Sequence, residues 1–211
     1  MTTPAATDRF CVYDSRELGT VMESMAQKLA SLSYEQPFAF IGILRRGAPL
    51  AAALSRYCHP IGAPAPSLYT LKVKRYADDL SLVHPETALI ENPGLAALNL
   101  AETPLLVVDD VLYEGHSLLR TCAYLARLGA RRIHTAVLVD RCVSTQPIHA
   151  DIVGIRLQAA PDDIVECHVP PYEPDFRIEI IRHGQHRLSS GNLEPEAAIG
   201  GGPCLARKSR I

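Results

Sequence analysis

The stretch LLVVDDVLYEGHS, residues 105–117, runs four aliphatic residues into two adjacent aspartates and then into a glycine turn that ends on a hydroxyl. The aliphatic run fits a buried strand, and a turn ending at Ser117 fits the entry to a helix. That order predicts Asp109 and Asp110 at the carboxyl edge of a parallel sheet, where α/β folds bind ligands. Val111, Leu112, Tyr113, Glu114, Gly115, His116 and Ser117 then lead to a helix N-terminus, whose unpaired N–H groups and positive dipole end can hold an anion. Gly115 lets backbone amides come close, and the Ser117 hydroxyl can add a hydrogen bond. Carboxylates and phosphate-seeking amides a few residues apart match the hydroxyls and the phosphate of a sugar phosphate. The same residues also permit a plainer arrangement, with one aspartate capping a turn, the other solvated and Ser117 an ordinary helix cap.

Outward from this stretch, apolar runs rich in β-branched and aromatic residues recur at 38–44, 67–73 and 135–139, with helix-like segments among them. This alternation predicts an α/β fold, a central, mainly parallel sheet flanked by helices. Helices are expected over 15–32 behind an Asp14 or Ser15 cap, over about 48–57, and from about Ser117 to a stop at Gly129. Three short strands are expected at 151–155, 164–169 and 177–181, separated by Pro-rich turns and forming a small appended subdomain. The polar connection from Tyr76 to Pro104 is long for a compact domain and reads as a functional loop or as disorder. Residues 1–8 and the tail 189–211, with its GGG and scattered prolines, are expected to be disordered, leaving a domain over 9–188.

A chain of 211 residues is one generous domain, and 47% apolar with 21% charged residues fits a soluble globular protein. A net charge of −2 and a pI near 6.4 argue against broad RNA or DNA binding, which only a clustered basic face would revive. No apolar run reaches the ~18–20 residues that span a bilayer, and the N-terminus lacks a targeting pattern, so a cytoplasmic location is expected. The six cysteines form no CxxC pair, which fits neither a zinc site nor a disulfide scaffold, and they read as mostly buried or incidental reduced thiols.

With strand, acidic pair, glycine turn and helix in this order, LLVVDDVLYEGHS resembles the phosphoribosyl pyrophosphate (PRPP) motif of type I phosphoribosyltransferases. The resemblance runs from about Val12 to Ile181. ILRRGAPLAAAL (43–54) is similar to the family's pyrophosphate loop, with Arg45, Arg46 and Gly47 at its core and a non-proline cis bond expected between Arg45 and Arg46. LKVKRYADDLS (71–81) resembles the start of the mobile catalytic loop, expected over about 72–103, where Arg75 and Tyr76 fall at closing positions. The resemblance implies Asp109 and Asp110 on the ribose hydroxyls, residues 114–117 on the 5′-phosphate, and Arg46 with nearby amides on pyrophosphate. It also implies Mg²⁺ brought in with PRPP, a nucleobase as acceptor, a hood over about 142–182, and a homodimer or homotetramer.

AVLVDRCVSTQPIHADIVG (136–154), with VLY in the opening motif, is most similar to the pyrimidine operon attenuator/uracil phosphoribosyltransferase branch, and hypoxanthine-guanine enzymes come next. Tyr113 stands where the purine enzymes usually carry an aspartate, and Asp140 where they carry a lysine. Tyr113, Asp140, Arg141 and Ile164 are therefore candidates on the nucleobase side, and the acceptor is expected to be a pyrimidine such as uracil. The alternative reading of Asp140-Arg141 is a strand-end ion pair with a structural role. Glu114 departs from the family, which has threonine or serine there. A carboxylate ~4 Å from a phosphate charge is opposed by roughly 4 kcal/mol at an effective dielectric near 20. The relief is a side chain turned to solvent, an offsetting charge on His116, or a different ligand. A PRPP- or nucleotide-sensing protein without turnover is the alternative function, and a purine transferase the alternative chemistry.

Overall fold

The computed structural model describes residues 7–32, 37–61, 65–72 and 93–183. Among these residues eight strands and four α-helices follow in the order β1 (Thr7–Tyr13), α1 (Ser15–Ala30), β2 (Ala39–Ile43), α2 (Gly47–Cys58), β3 (Ser67–Leu71), α3 (Pro93–Ala96), β4 (Leu105–Leu112), α4 (His116–Arg127), β5 (Ile133–Asp140), β6 (Ile152–Arg156), β7 (Ile164–His168) and β8 (Arg177–His183). Five of the strands form one parallel sheet in the order β3-β2-β4-β5-β6, and β1-β8-β7 form a separate antiparallel sheet.

The parallel sheet is buried because both of its faces are covered, as the near-continuous apolar runs of β2, β4 and β5 require. On one face α1 and α2 bring Leu18, Met22, Met25, Leu50 and Leu54 against Phe40, Leu106, Val108 and Leu138. On the other, Leu118, Tyr124 and Leu125 of α4 and Leu95 of α3 pack over Ile41, Leu105, Val107 and Val137. Helix α1 begins where expected. Asp14 accepts from the Arg16 and Glu17 amides at 2.9 Å, and Glu17 accepts from the Asp14 amide at 2.9 Å, a reciprocal capping box. Helix α4 ends as expected at a left-handed glycine, Gly129 with φ +100°.

Strand order fixes where a ligand can sit. From β2 the chain crosses through α2 on one face to β3, and from β4 it crosses through α4 on the opposite face to β5. The adjacent carboxyl ends of β2 and β4 therefore diverge, leaving a crevice at the topological switch point.

Three expectations are corrected. The strand at 152–156 belongs to the parallel sheet, paired with β5, and not to the appended subdomain. Ile152, Val153 and Ile155 are buried, and Gly154 lets α1 close in, since a Cβ there would stand 2.8 Å from Val21 and 2.9 Å from Met25. The third strand of the hood sheet is instead β1, so Thr7 and Asp8 are in a strand paired with His183 and Arg182. The non-proline cis bond lies at Leu44–Arg45, one peptide earlier than expected. Residues 44–46 form the turn from β2 into α2, and Arg46 is already αR as the N-cap of that helix.

Arg75, Tyr76, most of the proposed catalytic loop, residues 1–6 and the tail lie outside the described residues. Among the described residues no helix is long and apolar enough to cross a membrane. Of the described cysteines, Cys58 and Cys167 are buried, Cys122 is half-buried, and Cys11 and Cys142 are exposed.

Candidate functional site at the carboxyl edge of the sheet

Strand β4 runs further than the aliphatic residues alone suggest, through both aspartates to Leu112. Asp109 and Asp110 are half-buried, and an Asp109 side-chain oxygen accepts the Asp110 amide at 3.0 Å. Beside them lies a cavity of about 260 Å³, lined by Asp109, the loop from Val111 to Ser117, and Leu118, Arg120 and Val137. One acidic carboxylate, one glycine turn and the first turn of α4 are thus brought to one concave surface.

Gly115 is required here. Its φ is +91°, and a Cβ would stand 2.6 Å from both Ile148 and the Ser144 hydroxyl oxygen. The loop is held from behind by residues 144–146. The Glu114 carbonyl accepts the Thr145 and Gln146 amides at 3.2 Å and the Ser144 hydroxyl at 3.2 Å. Only the backbone of Glu114 is so bound. Its side chain is 47% exposed, with the His116 imidazole 3.6 Å away. Of the three reliefs anticipated for this carboxylate, the exposed side chain matches the first, a side chain turned to solvent.

The pyrophosphate-loop candidates lie directly across the crevice. A Cβ on Gly47 would meet the Val108 carbonyl oxygen at 2.4 Å and the Asp109 Cα at 3.2 Å, so the start of α2 is pressed against β4 at the acidic pair. Arg45 lies over the ring of Tyr172 at 4.8 Å. Arg46 turns to the hood. Its Nε and Nη2 donate to one Glu173 oxygen at 3.1 and 2.6 Å, and Nη2 also donates to Glu166 at 3.3 Å. Burial alone would lower the Arg46 pKa, but the bond and charge of Glu173, with Asp110 and Glu166, hold it above its ordinary value. Burial likewise opposes ionisation of Glu173, yet the bonds from Arg46 and the Val169 amide prevail and leave its carboxyl below the usual range.

Glu166 and Glu179 also take Arg9, and Glu179 takes Arg177 and His168. Glu166, His168 and Glu179 converge closely enough to hold a metal ion, but arginines already supply the positive charge. Cys167, between these strands and the site, points its thiol at the Asp110 carbonyl at 3.9 Å; burial and then Asp110 push that thiol well above its ordinary range.

On the nucleobase side the structure separates the candidates. Arg141 is 5% exposed and donates to the carbonyls of Asp163 at 2.7 Å, Ala160 at 3.0 Å and Ala159 at 3.4 Å. It is a strut for the loop before β7, and its guanidinium lies 5.0 Å from the centre of the Tyr113 ring, which stays 44% exposed. Asp140 accepts the amide of Cys142, which has φ +57°, at 2.8 Å and so shapes the turn after β5. Asp140 and Arg141 thus bind separate structural partners, the Cys142 amide and the carbonyls of the loop before β7. Ile164 is exposed at the start of β7 and is not in the cavity wall.

Reading the sequence missed Arg120 and the hood glutamates. Arg120 was detectable as the residue three after Ser117, on the same side of a helix. Glu173 lies 127 residues from Arg46, and no local pattern joins them.

A phosphoribosyl transferase domain model matches residues 12–175. The bifunctional protein PyrR of Elusimicrobium minutum is 31% identical over 176 residues, covering 81% of this chain and 95% of its own length. That of Thermus aquaticus is 32% identical over 145 residues, covering 67% and 78%. Among solved structures, the hypoxanthine phosphoribosyltransferase of Trypanosoma cruzi in complex with the product IMP superposes with a TM-score of 0.61 at 18% identity, covering 86% of this chain and 93% of that one, a likeness of fold alone. A parallel sheet with its switch point at an acidic pair, a glycine turn at a helix N-terminus and the domain and PyrR matches agree: the chain belongs to the type I phosphoribosyltransferase family, in its PyrR-like branch.

Proposed function

We propose that this protein transfers the 5-phosphoribosyl group of PRPP to a nitrogenous base, a pyrimidine such as uracil, with release of pyrophosphate. The observation that carries the reading is the half-buried Asp109–Asp110 pair beside a cavity whose far wall is the glycine turn and first turn of α4. In the reaction the bond from the sugar's anomeric carbon to pyrophosphate breaks, and a bond from the same carbon forms to a ring nitrogen of the base, which gives up its proton to water. Asp109 and Asp110 accept hydrogen bonds from the ribose hydroxyls and orient the ring. The amides at the start of α4 and the Ser117 hydroxyl take the 5′-phosphate. Arg46 and the backbone around Gly47 take the pyrophosphate, so that donor and acceptor meet in a fixed geometry with the departing charge stabilised.

The carboxylate of Asp109, half-buried and in the cavity wall, is an oxygen donor that fits Mg²⁺, a hard cation that keeps few protein carboxylates and binds mainly phosphate oxygens and water. Bound there with the donor, it would supply positive charge to the pyrophosphate. For the acceptor, the support is Tyr113, an exposed ring backed by Arg141, in place of the aspartate common in purine enzymes. Arg141 serves by holding that ring and the loop before β7, and a base would lie against the exposed face of Tyr113.

One observation favours a second reading, a PRPP- or nucleotide-sensing regulator: the Glu114 carboxylate in the phosphate turn. Both readings are tested by measuring pyrophosphate release from PRPP with Mg²⁺ and a panel of uracil, hypoxanthine and guanine. Release with uracil, falling at least about a hundredfold in Asp110→Asn, is expected. Release only with the purines would move the acceptor to the purine class. Calorimetric binding of PRPP without release on any base would select the sensor, and neither binding nor release would sink both.

A further inference from the structure

The turn from β2 into α2 has a feature that its proposed role does not require. A guanidinium grips a phosphate by presenting two parallel N–H groups along one edge. The Nε–Nη2 edge of Arg46 is already gripping something, the Oε1 of Glu173 at 3.1 and 2.6 Å. Glu173 is not a loose surface partner. Its other oxygen accepts the Val169 amide at 2.9 Å, and the side chain is only 18% exposed, against 29% for Arg46. Glu166 takes a second, longer hold on the same Nη2 at 3.3 Å. Both glutamates belong to the hood, while Arg46 stands at the mouth of the crevice, immediately before the glycine that touches β4 at Asp109.

We propose that Glu173 is a built-in competitor for the pyrophosphate group: its carboxylate holds the edge of Arg46 that the donor's pyrophosphate must take. This rests on the assignment of Arg46 to pyrophosphate made above. Donor binding exchanges one anion on Arg46 for another, so part of the gross attraction goes into displacing Glu173, and the affinity for PRPP is set below what the arginine could supply. In the reverse direction Glu173 retakes Arg46 as pyrophosphate departs, which favours product release. Because the competing carboxylate is on the hood, occupancy of the pyrophosphate position is coupled to how the hood sits on the sheet edge.

The test is calorimetry of the full-length protein with Mg-pyrophosphate, Mg-PRPP and uridine monophosphate, in wild type and in Glu173→Gln. The amide keeps the size of the side chain and removes its charge. The expected result is tighter binding of pyrophosphate and PRPP by roughly three- to tenfold, the range of a partly exposed charge pair. Affinity for the monophosphate, which has no pyrophosphate, stays unchanged. Glu166→Gln, which gives up the longer contact, gains less. Should Glu173→Gln fail to fold, Glu173→Asp withdraws the carboxylate by one methylene and is expected to move affinity in the same direction. A merely structural Glu173 predicts equal or weaker pyrophosphate binding in a folded variant, and that result overturns the proposal while leaving the transferase reading intact. If neither wild type nor variant binds PRPP or pyrophosphate, both fall together.

Discussion

The turn from β2 into α2 and the turn from β4 into α4 leave neighbouring parallel strands and bring two helix N-termini to one crevice, yet they are built differently. The first is fixed by contact. Gly47 touches the β4 backbone, and the charged groups of Arg45 and Arg46 are occupied by Tyr172, Glu173 and Glu166. The second is fixed by its own backbone. Gly115 adopts a left-handed conformation, the Glu114 carbonyl gathers residues 144–146, and the side chains of Glu114 and His116 are left half-exposed. Substitutions should therefore act through packing and the hood in the first turn, and through local charge in the second.

The largest effect is expected at Gly47. A methyl group there stands 2.4 Å from a backbone oxygen, and neither a strand in mid-sheet nor the start of a helix can yield cheaply. Gly47→Ala should cost roughly 1–3 kcal/mol or more by denaturant titration. It should also weaken pyrophosphate binding, because the loop and Asp109 are forced apart. A variant of unchanged stability would show that the two turns are not in firm contact.

Glu114→Thr probes the second turn and should be milder. Facing a phosphate at ~4 Å, the carboxylate would oppose it by roughly 4 kcal/mol, but its half-exposed side chain is well screened by solvent. PRPP should bind about three- to tenfold tighter to the variant with no change in thermal stability. A gain near a thousandfold would mean that the carboxylate turns inward. No gain would mean that it never faces the phosphate.

How much of this could be read from the sequence follows the range of the interactions. Strand β4 and the turn after it were legible because an aliphatic run, an acidic pair and a glycine are local and each has a physical signature. Strand β1, TDRFCVY, was not, because its polar residues fit a strand only once Arg9 meets Glu166 and Glu179, 157 and 170 residues away. Strand β6 was legible as a strand, but its partner was not. The short apolar run in IVGIR does not say which sheet it joins, while in the fold Val21 and Met25 of α1 close on Gly154. In the site, the acidic pair and Gly115 were found. The role of Arg141 was not, since it depends on three carbonyls contributed by the loop before β7.

The smallest effect expected is a selective loosening of the hood in acid, and it tests whether the first turn is tied to it through Glu173. The Glu173 carboxyl is held below its usual range in the folded protein, chiefly by Arg46 and the Val169 amide working against burial. A carboxylate depressed on folding stabilises fully above its unfolded pKa, about 4.3 for glutamate. That contribution is lost as pH falls through the lower folded value. Hood docking should therefore be undiminished at neutral pH and weaken only below about pH 4. The Val169 amide, which donates to Glu173, reports this directly. Hydrogen exchange expressed as protection factors should show Val169 losing protection on acidification before Val107 in the centre of β4, which is fully buried. In Glu173→Gln, which has no charge to lose, the relative protection of the two amides should stay constant over the same range. Parallel loss at both positions in wild type would mean that the hood and the sheet unfold as one unit, and that Arg46 rather than Glu173 sets the geometry of the first turn.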